Sequence, residues 1–214
     1  MYVGETDEAR IVIEQDEDFE PRECAVSKLY FWKDGLGDKH DFSRPKDMWL
    51  AIAEKIGYKI PPYNWKDAQL AIHAASKGKF IIKPVYCLDH SGVTISTTPY
   101  SDPWDSCQIG YAVISYEDLR KEYGENITED TDLEVKGNEL IDAEVHLYDI
   151  WLQGDIWEYT LYAKDICPCC KNISYREIDS GTGFLGTDWE KNGLKESIPT
   201  GDRDVMNNIE WSDK

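Results

Sequence analysis

The sequence KFIIKPVYCLDHSGVTISTTPYSDPWDSCQIGYAVIS, residues 79–115, contains three segments that are rich in β-branched and aromatic residues, at 79–88, 93–98 and 108–115. Such segments are typical of β-strands. Only the short turn His90–Gly92 separates the first two, and strands joined by tight turns pair in the antiparallel direction. This stretch therefore predicts an antiparallel sheet.

The sequence on either side of this stretch adds more strands and several helices. The further elements are strands at 9–15 and 28–33, helices from Asp47 to Gly57, at 64–78, at 116–124 and at 131–152, and hairpin strands at 156–165 and 172–179. Helices that pack against a mainly antiparallel sheet define an α+β fold. We expect this fold class, with a β-hairpin near the C-terminus.

The length and composition of the chain indicate one sizeable core. With 214 residues, of which 41% are hydrophobic, we expect a single α+β domain over 1–200. Residues 201–214 are polar and predict a flexible tail. The chain shows neither a signal peptide nor an apolar run of the roughly 18 residues that cross a bilayer, so we expect a cytoplasmic protein with no membrane partner.

The loop between Asp89 and Gly110 is long, polar and rich in side chains that carry chemistry, which is typical of a binding or catalytic site. If the protein is an enzyme, the candidate catalytic residues are His90, Ser91, Asp105 and Gln108, together with Glu144. His90 and Asp105 should then lie near each other. No nucleophile-elbow pattern surrounds the serines, so we favour the interpretation that the loop residues serve turns. On balance we do not expect an enzyme.

The formal net charge of −19 is unevenly distributed. Residues 1–23 hold nine acidic and two basic residues, and residues 116–160 hold fourteen and three. Residues 24–115, by contrast, hold nine acidic and eleven basic residues. Such a surface disfavours direct nucleic-acid binding, which needs a basic footprint. It favours either simple solubility or imitation of nucleic-acid phosphates toward a basic protein.

The helix expected at 131–152 carries both an apolar stripe and an acidic ridge. At 100° per residue, the stripe comprises Leu133, Leu140, Leu147 and Trp151, and the ridge comprises Asp132, Glu139, Asp142 and Asp149. Glu144 falls within the stripe. A carboxylate there must be paired, protonated or functional, unless the edge of the stripe lies nearer to solvent.

Two groups of residues resemble metal ligands. Cys167 and Cys170 have the spacing of half a zinc-ribbon site, but the second cysteine pair is missing, and we favour a hairpin turn with free thiols. Asp38, His40 and Asp41 are a second candidate group. We therefore expect no cofactor, with zinc or another divalent metal as the alternative.

Six motifs occur in one order along the chain: EQDED (14–18), LGDKHDF (36–42), YCLDHSG (86–92), ISTTPYSDPWDSCQIG (95–110), EVHLYDIWLQGDIWEY (144–159) and DSGTGFLG (179–186). Together they resemble a family of uncharacterised proteins encoded by phages and prophages, over roughly residues 12–198. The resemblance implies an accessory protein in the host cytoplasm, in which residues 57–78 are a helical insertion relative to the family pattern. The family pattern has a glycine where this chain has Cys107, and a cysteine where it has Gly181, which predicts that these two positions are close in space.

From the charge and the resemblance we expect an anti-defence protein, of the anti-CRISPR or anti-restriction type. It would act as a nucleic-acid mimic that binds a basic nucleic-acid-handling host protein. The candidate binding residues are Asp16, Glu17, Asp18, Trp104, Glu139, Asp142 and Asp149. One alternative is an enzyme, or a small-ligand or metal-binding protein, that uses the 89–110 loop. Another is an acidic accessory phage protein without mimicry.

Overall fold

The computed structural model describes residues 1–59, 64–124 and 130–212. The chain divides into two compact units where the sequence predicted a single domain. Unit 1 comprises residues 1–20 and 150–214, and unit 2 comprises residues 21–149. Residues 60–63, which belong to the expected insertion at 57–78, lie outside the described residues.

The elements combine antiparallel strands with helices, so the predicted α+β class is confirmed. The strands are β1 Tyr2–Glu5, β2 Ala9–Gln15, β3 Lys28–Phe31, β4 Phe80–Asp89, β5 Val93–Ser96, β6 Ser106–Ser115, β7 Ile156–Ile166, β8 Ile173–Leu185 and β9 Glu210–Trp211. The helices are α1 Pro45–Lys55, α2 Trp65–Ser76, α3 Tyr116–Tyr123, α4 Asp130–Leu152 and the short α5 Leu194–Ser197. No helix within the described ranges has both the length and the apolar composition that crossing a membrane requires.

Unit 2 contains a sheet in the order β3-β6-β4-β5. The predicted strands at 79–88, 93–98 and 108–115 are β4, β5 and β6, and all their pairings are antiparallel. Gly110 lies opposite Phe31 where β6 pairs with β3. A Cβ atom at Gly110 would overlap the Tyr30 carbonyl oxygen, so only glycine allows the two strands to approach this closely.

Helices α1 and α2 pack together in unit 2. Met48, Trp49 and Ile52 of α1 form one buried cluster with Ile72 of α2 and Ile82 of β4. The side chain of Asn64 accepts a hydrogen bond from the Asp67 backbone N–H and caps the start of α2. The part of the expected insertion that the structure describes is therefore a capped helix whose apolar face is buried.

The buried stripe of α4 differs from the predicted one. Leu133 is buried as expected, but Leu140, Leu147 and Trp151 are only half-buried. The buried positions recur every three or four residues, and they are Leu133, Gly137, Ile141, Val145 and Tyr148. The prediction omitted Gly137, which has no side chain to register as apolar. A Cβ there would meet Ile81 and Leu119, so the glycine allows α4 to approach β4 and α3 closely.

Unit 1 contains a second antiparallel sheet, in the order β8-β7-β2-β1-β9. Alternate residues of β2, namely Ala9, Ile11 and Ile13, are buried in a cluster with Trp157, Tyr159 and Leu161 of β7. The predicted C-terminal hairpin is β7 and β8, which close at Ile166 and Ile173. This arrangement places Cys167, Cys169 and Cys170 at the hairpin tip.

Residues 201–212, which the sequence predicted to be a flexible tail, form regular structure in unit 1. Arg203–Asn208 is a 3-10 helix whose Val205 is fully buried, and β9 pairs with β1. A Cβ at Gly4 would overlap the Val205 carbonyl oxygen, so Gly4 allows this segment to pack directly on β1. The segment was predicted to be flexible because most of its residues are polar. Its few apolar side chains, Val205, Met206 and Ile209, nevertheless pack into the core of unit 1.

Candidate functional site

The 89–110 loop is shorter than the sequence suggested, because strands occupy part of it. His90–Gly92 is a tight turn between β4 and β5, in which Ser91 has the left-handed φ of 60°. The irregular part is residues 97–105, where the Asp102 side chain accepts hydrogen bonds from Trp104 N and Asp105 N. The bond from Asp105 N, then that from Trp104 N, lowers the pKa of Asp102. The Ser106 hydroxyl donates to the Asp102 carbonyl.

His90 and Asp105 lie close together, as the sequence predicted. The distance between His90 Nε2 and Asp105 Oδ2 is 3.9 Å, which is too long for a hydrogen bond, and both side chains are well exposed. The backbone N–H of Asp89, the residue before His90, donates a hydrogen bond to the Asp105 carbonyl and holds the two segments together. The contacts of Asp102 and Ser106 are those of turn residues, and the catalytic roles of His90, Ser91 and Asp105 stay predictions.

Gln108 lies away from this pair, at a small cleft of about 220 Å³ in unit 2. The cleft is lined by apolar and aromatic side chains that include Trp49, Tyr86 and Tyr111. Trp49 Nε1 is buried and has no hydrogen-bond partner among the described residues. The other prominent loop residue, Trp104, is 90% exposed. A small ligand that uses the loop stays an alternative, with Gln108 as its best-placed residue.

Glu144 is paired inside unit 2. Its carboxylate accepts hydrogen bonds from Val26 N at 2.7 Å, Ser27 N at 3.1 Å and the Ser27 hydroxyl, and lies 3.3 Å from Arg22 Nη1. Arg22 also donates to both oxygens of Asp38, each at 3.0 Å. Of the alternatives for Glu144, pairing is therefore the one that the structure supports. The carboxylates of Glu144 and Asp38 therefore both have hydrogen-bond donors. Their shared partner Arg22 connects α4 to the segment before β3.

The candidate metal ligands of the LGDKHDF motif have other partners or separate positions. Burial tends to raise the pKa of Asp38, but the hydrogen bonds from Arg22 and from Leu29 N outweigh it, so that this pKa is lowered. His40 Nε2 lies 2.9 Å from the Phe31 carbonyl oxygen. Asp41 is exposed. Within the described residues, these three side chains are not brought together as a metal-ligand group.

Several acidic residues of α4 interact with neighbouring groups in unit 2. Asp142 contacts Lys83 Nζ at 2.7 Å and the Thr97 hydroxyl at 2.7 Å. Asp149 accepts a hydrogen bond from Ile95 N, and Glu139 pairs with Lys136. These contacts reduce the negative charge that the ridge presents, so it is a weaker candidate binding surface than its sequence suggested.

A group of four carboxylates lies in unit 1. Glu14 of β2 and Glu158 of β7 are directly opposite each other in the antiparallel ladder. Together with Glu17 and Asp18 they line a cleft of about 580 Å³, which the 59% exposed ring of Trp211 also lines. Among the described residues, no lysine or arginine forms an ion pair with Glu17, Asp18 or Glu158. We call this group the acidic cleft.

The carboxylates of the acidic cleft lie close enough to affect one another electrostatically. Burial, and then the charges of Asp16, Glu14, Asp18 and Glu17, raise the pKa of Glu158. Asp16 itself is buried and accepts a hydrogen bond from Gly183 N at 3.1 Å, so it fixes the turn after β2 and adds charge behind the cleft. Like charges that face each other across a ladder destabilise a sheet. The sequence indicated Asp16, Glu17 and Asp18, but Glu14 and Glu158 could be recognised only from the strand register.

The net charge is concentrated in the unit that holds this cleft. Unit 1 contains 20 acidic and 8 basic residues in 85 positions, a net charge of −12. Unit 2 contains 22 acidic and 15 basic residues in 129 positions, a net charge of −7. The acidic cleft therefore lies in the more strongly charged unit, where its field attracts cations from a distance of about a Debye length.

The tip of the β7–β8 hairpin forms a cluster of three thiols. The sulfur atoms of Cys167, Cys169 and Cys170 all lie within 4.8 Å of one another, and Cys167 Sγ is 3.1 Å from Cys169 Sγ. A hydrogen bond from the Cys170 backbone, followed by contacts from Cys169, lowers the pKa of the Cys167 thiol to about 6. The cluster is of a kind that could bind a metal ion. As zinc ligands, the sequence had indicated Cys167 and Cys170.

The predicted proximity of Cys107 and Gly181 stays a prediction, because the two residues belong to different units. Each has a local environment of its own. Cys107 of β6 lies opposite Cys87 of β4 in the antiparallel ladder, and both are free thiols. A Cβ at Gly181 would lie 2.7 Å from the Tyr159 ring, so a cysteine at this position requires that ring to move.

No family model, curated protein or solved structure matches this chain.

Proposed function

We propose that this protein binds a basic partner protein through the acidic cleft of unit 1. The observation that supports the proposal is the placement of Glu14 directly opposite Glu158, with Glu17 and Asp18 in the same cleft. A sheet that served only as scaffold would gain stability from opposite charges at these positions. A cationic side chain of the partner, placed between Glu14 and Glu158, offsets the repulsion between these two carboxylates. Binding of such a partner therefore stabilises the folded protein.

The chemistry of the cleft suits lysine or arginine side chains of the partner. Carboxylates accept the charged N–H donors of either residue, and a guanidinium group pairs with two of them at once. The exposed face of Trp211 offers a cation–π contact at the same cleft. Neutral or acidic partners gain neither contact.

The proposed partner class is a nucleic-acid-handling protein of a host defence system, with a basic groove. Basic grooves bind phosphate charges, and the acidic cleft presents closely spaced carboxylates in their place. The resemblance to phage and prophage proteins supports the anti-defence role, of the anti-CRISPR or anti-restriction type. Under this proposal the protein acts in the host cytoplasm and does not itself bind nucleic acid.

The proposal can be tested with defined probes and the full-length protein. A fluorescently labelled oligoarginine peptide should bind, and its affinity should fall steeply as the salt concentration rises, because the contacts are exposed ion pairs. An oligoglutamate peptide and duplex DNA should not bind. Oligoarginine binding that is insensitive to salt, or binding of DNA, would contradict the proposal.

The biological part of the proposal needs a separate assay. Expression of the protein in bacteria that carry a restriction or CRISPR system should restore infection by a phage that the system blocks. A variant with Glu14→Gln, Glu17→Gln, Asp18→Asn and Glu158→Gln should not restore it. Equal protection by this variant would show that the acidic cleft is not the interaction surface.

A metal ion at the hairpin tip is a second candidate function. We infer that Cys167 and Cys170 bind zinc or a similar divalent ion, because their sulfur atoms lie close together beside a third thiol. Thiolates are preferred ligands of such ions. Metal analysis of protein that was purified under reducing conditions should find about one zinc ion per chain, and a Cys167→Ser, Cys170→Ser variant should contain none. Equal zinc content in both proteins would contradict this function.

A further inference from the structure

The hairpin tip offers a third sulfur ligand, Cys169, in addition to Cys167 and Cys170. All three sulfur atoms of the cluster lie within 4.8 Å of one another. In a tetrahedral zinc–thiolate site with Zn–S distances of about 2.3 Å, the sulfur atoms are separated by about 3.8 Å. The cluster therefore needs only small side-chain adjustments to place three sulfur atoms around one ion.

The hairpin already holds the backbone of the three cysteines in a closed turn. Cys167 N donates to the Asn172 carbonyl and Lys171 N donates to the Cys167 carbonyl, each at 2.9 Å. The ladder begins immediately below, where Ile166 pairs with Ile173. The ligands are thus positioned by local hydrogen bonds, so metal binding does not require the core of unit 1 to rearrange.

The cluster lacks a fourth protein ligand within the part of the chain that the structure describes. No histidine, carboxylate or further cysteine there belongs to the group, and Cys169 and Cys170 are exposed to solvent. Structural zinc sites are closed by four protein ligands, whereas sites with three keep one position open for an exchangeable ligand.

We propose that Cys167, Cys169 and Cys170 hold one thiophilic divalent ion and leave its fourth position open to an external thiol. This inference rests on the metal-binding function proposed above and adds the third ligand and the class of the exchangeable one. A thiol is the expected class because a centre with three thiolates is soft and prefers soft ligands. The exposed position at the hairpin tip gives an external thiol access to the ion.

The test uses Co²⁺ as a spectroscopic probe in the full-length protein, reduced with a phosphine that carries no thiol. The background variant Cys24→Ser, Cys107→Ser removes the other exposed cysteines. One Co²⁺ ion per chain should bind, with a thiolate-to-cobalt charge-transfer intensity that corresponds to three thiolates. Addition of 2-mercaptoethanol should raise the intensity to that of four. Cys169→Ser should reduce the intensity to that of two thiolates. It should also lower the Zn²⁺ affinity about 100-fold, because each of only three protein ligands contributes a large part of the binding free energy.

The outcomes separate this inference from the metal-binding function itself. If the background protein binds neither Co²⁺ nor Zn²⁺, both the metal-binding function and the three-thiolate centre are contradicted. Binding that Cys169→Ser leaves unchanged, or one ion shared by two chains, would retain a metal site but contradict the three-thiolate centre. A charge-transfer spectrum that 2-mercaptoethanol does not alter would contradict the open fourth position.

Discussion

Glu144 and Glu158 are both partly buried carboxylates, but their surroundings differ. Glu144 has Arg22 and the backbone of Val26 and Ser27 as partners. Glu158 faces Glu14 and has acidic neighbours that raise its pKa. The first arrangement stabilises the fold, and the second costs stability at neutral pH, as functional sites often do.

Replacement of Glu144 by alanine should lower the free energy of unfolding by about 3 kcal/mol, because it removes the contact with Arg22 and leaves the N–H groups of Val26 and Ser27 without this acceptor. Chemical denaturation measures this change. The matched control is Glu139→Ala on the same helix, which removes only an exposed ion pair with Lys136 and should cost less than about 0.5 kcal/mol. Equal losses in the two variants would contradict the role of the Arg22–Glu144 cluster.

Replacement of Glu158 by glutamine should stabilise the protein at pH 7 by up to about 1 kcal/mol. Because the pKa of Glu158 is raised in the folded state, the folded protein binds this proton more tightly than the unfolded chain. The stability that this group contributes is present at low pH and is lost as the pH rises through the raised pKa. The advantage of the variant should therefore disappear at acidic pH.

Thermal unfolding at several pH values measures this effect. Glu177→Gln serves as the control, since Glu177 is an exposed carboxylate on β8. A stabilisation that is the same at all pH values, or that the control reproduces, would show that the acidic cleft carries no electrostatic cost.

At the level of secondary structure, local signals were sufficient for most elements. Alternation predicted β2, and turns between apolar segments predicted the strands β4, β5 and β6 and the β7–β8 hairpin. Helical spacing also located α4, but its buried face was misjudged, since the predicted stripe left out Ile141, Val145 and Tyr148, which are buried together with Gly137. The strands β1 and β9 went unrecognised, since both are short, and β9 also depends on a pairing partner, β1, that is distant in sequence.

Removal of the segment after Asp202 tests its importance for unit 1. A chain that ends at Asp202 lacks the buried Val205 and the β9 strand that covers the edge of β1. We expect a loss of at least about 3 kcal/mol in unfolding free energy and a tendency to aggregate through the exposed edge. A chain that ends at Ser212 is the control. Unchanged stability of the shorter chain would show that the segment is dispensable.

For the molecule as a whole, the charge distribution was visible in the sequence but its arrangement was not. The sequence identified both acidic segments and three residues in or behind the cleft, Asp16, Glu17 and Asp18. It could not show that Asp142 and Asp149 bond within unit 2, or that Glu14 and Glu158 meet across two strands. Such differences depend on strand register and on contacts between distant residues, which composition does not encode.

The proximity of His90 and Asp105 was correctly predicted, because both flank the same strand pair. Gln108, however, points to a different cleft from the other loop residues. Successive residues of a strand alternate between the two faces of the sheet, so a motif that is continuous in sequence divides into separate surfaces.

The most direct measurement is the affinity for oligoarginine of two variants with the same change in net charge. The cleft variant carries Glu14→Gln, Glu17→Gln, Asp18→Asn and Glu158→Gln. The matched variant carries Glu122→Gln, Asp132→Asn, Glu134→Gln and Glu139→Gln, all at exposed positions in unit 2. If the acidic cleft is the binding site, isothermal titration calorimetry should show about a 10-fold or greater loss for the cleft variant and little change for the matched variant. Equal losses would show that only overall charge attracts the peptide, and would contradict a specific site in unit 1.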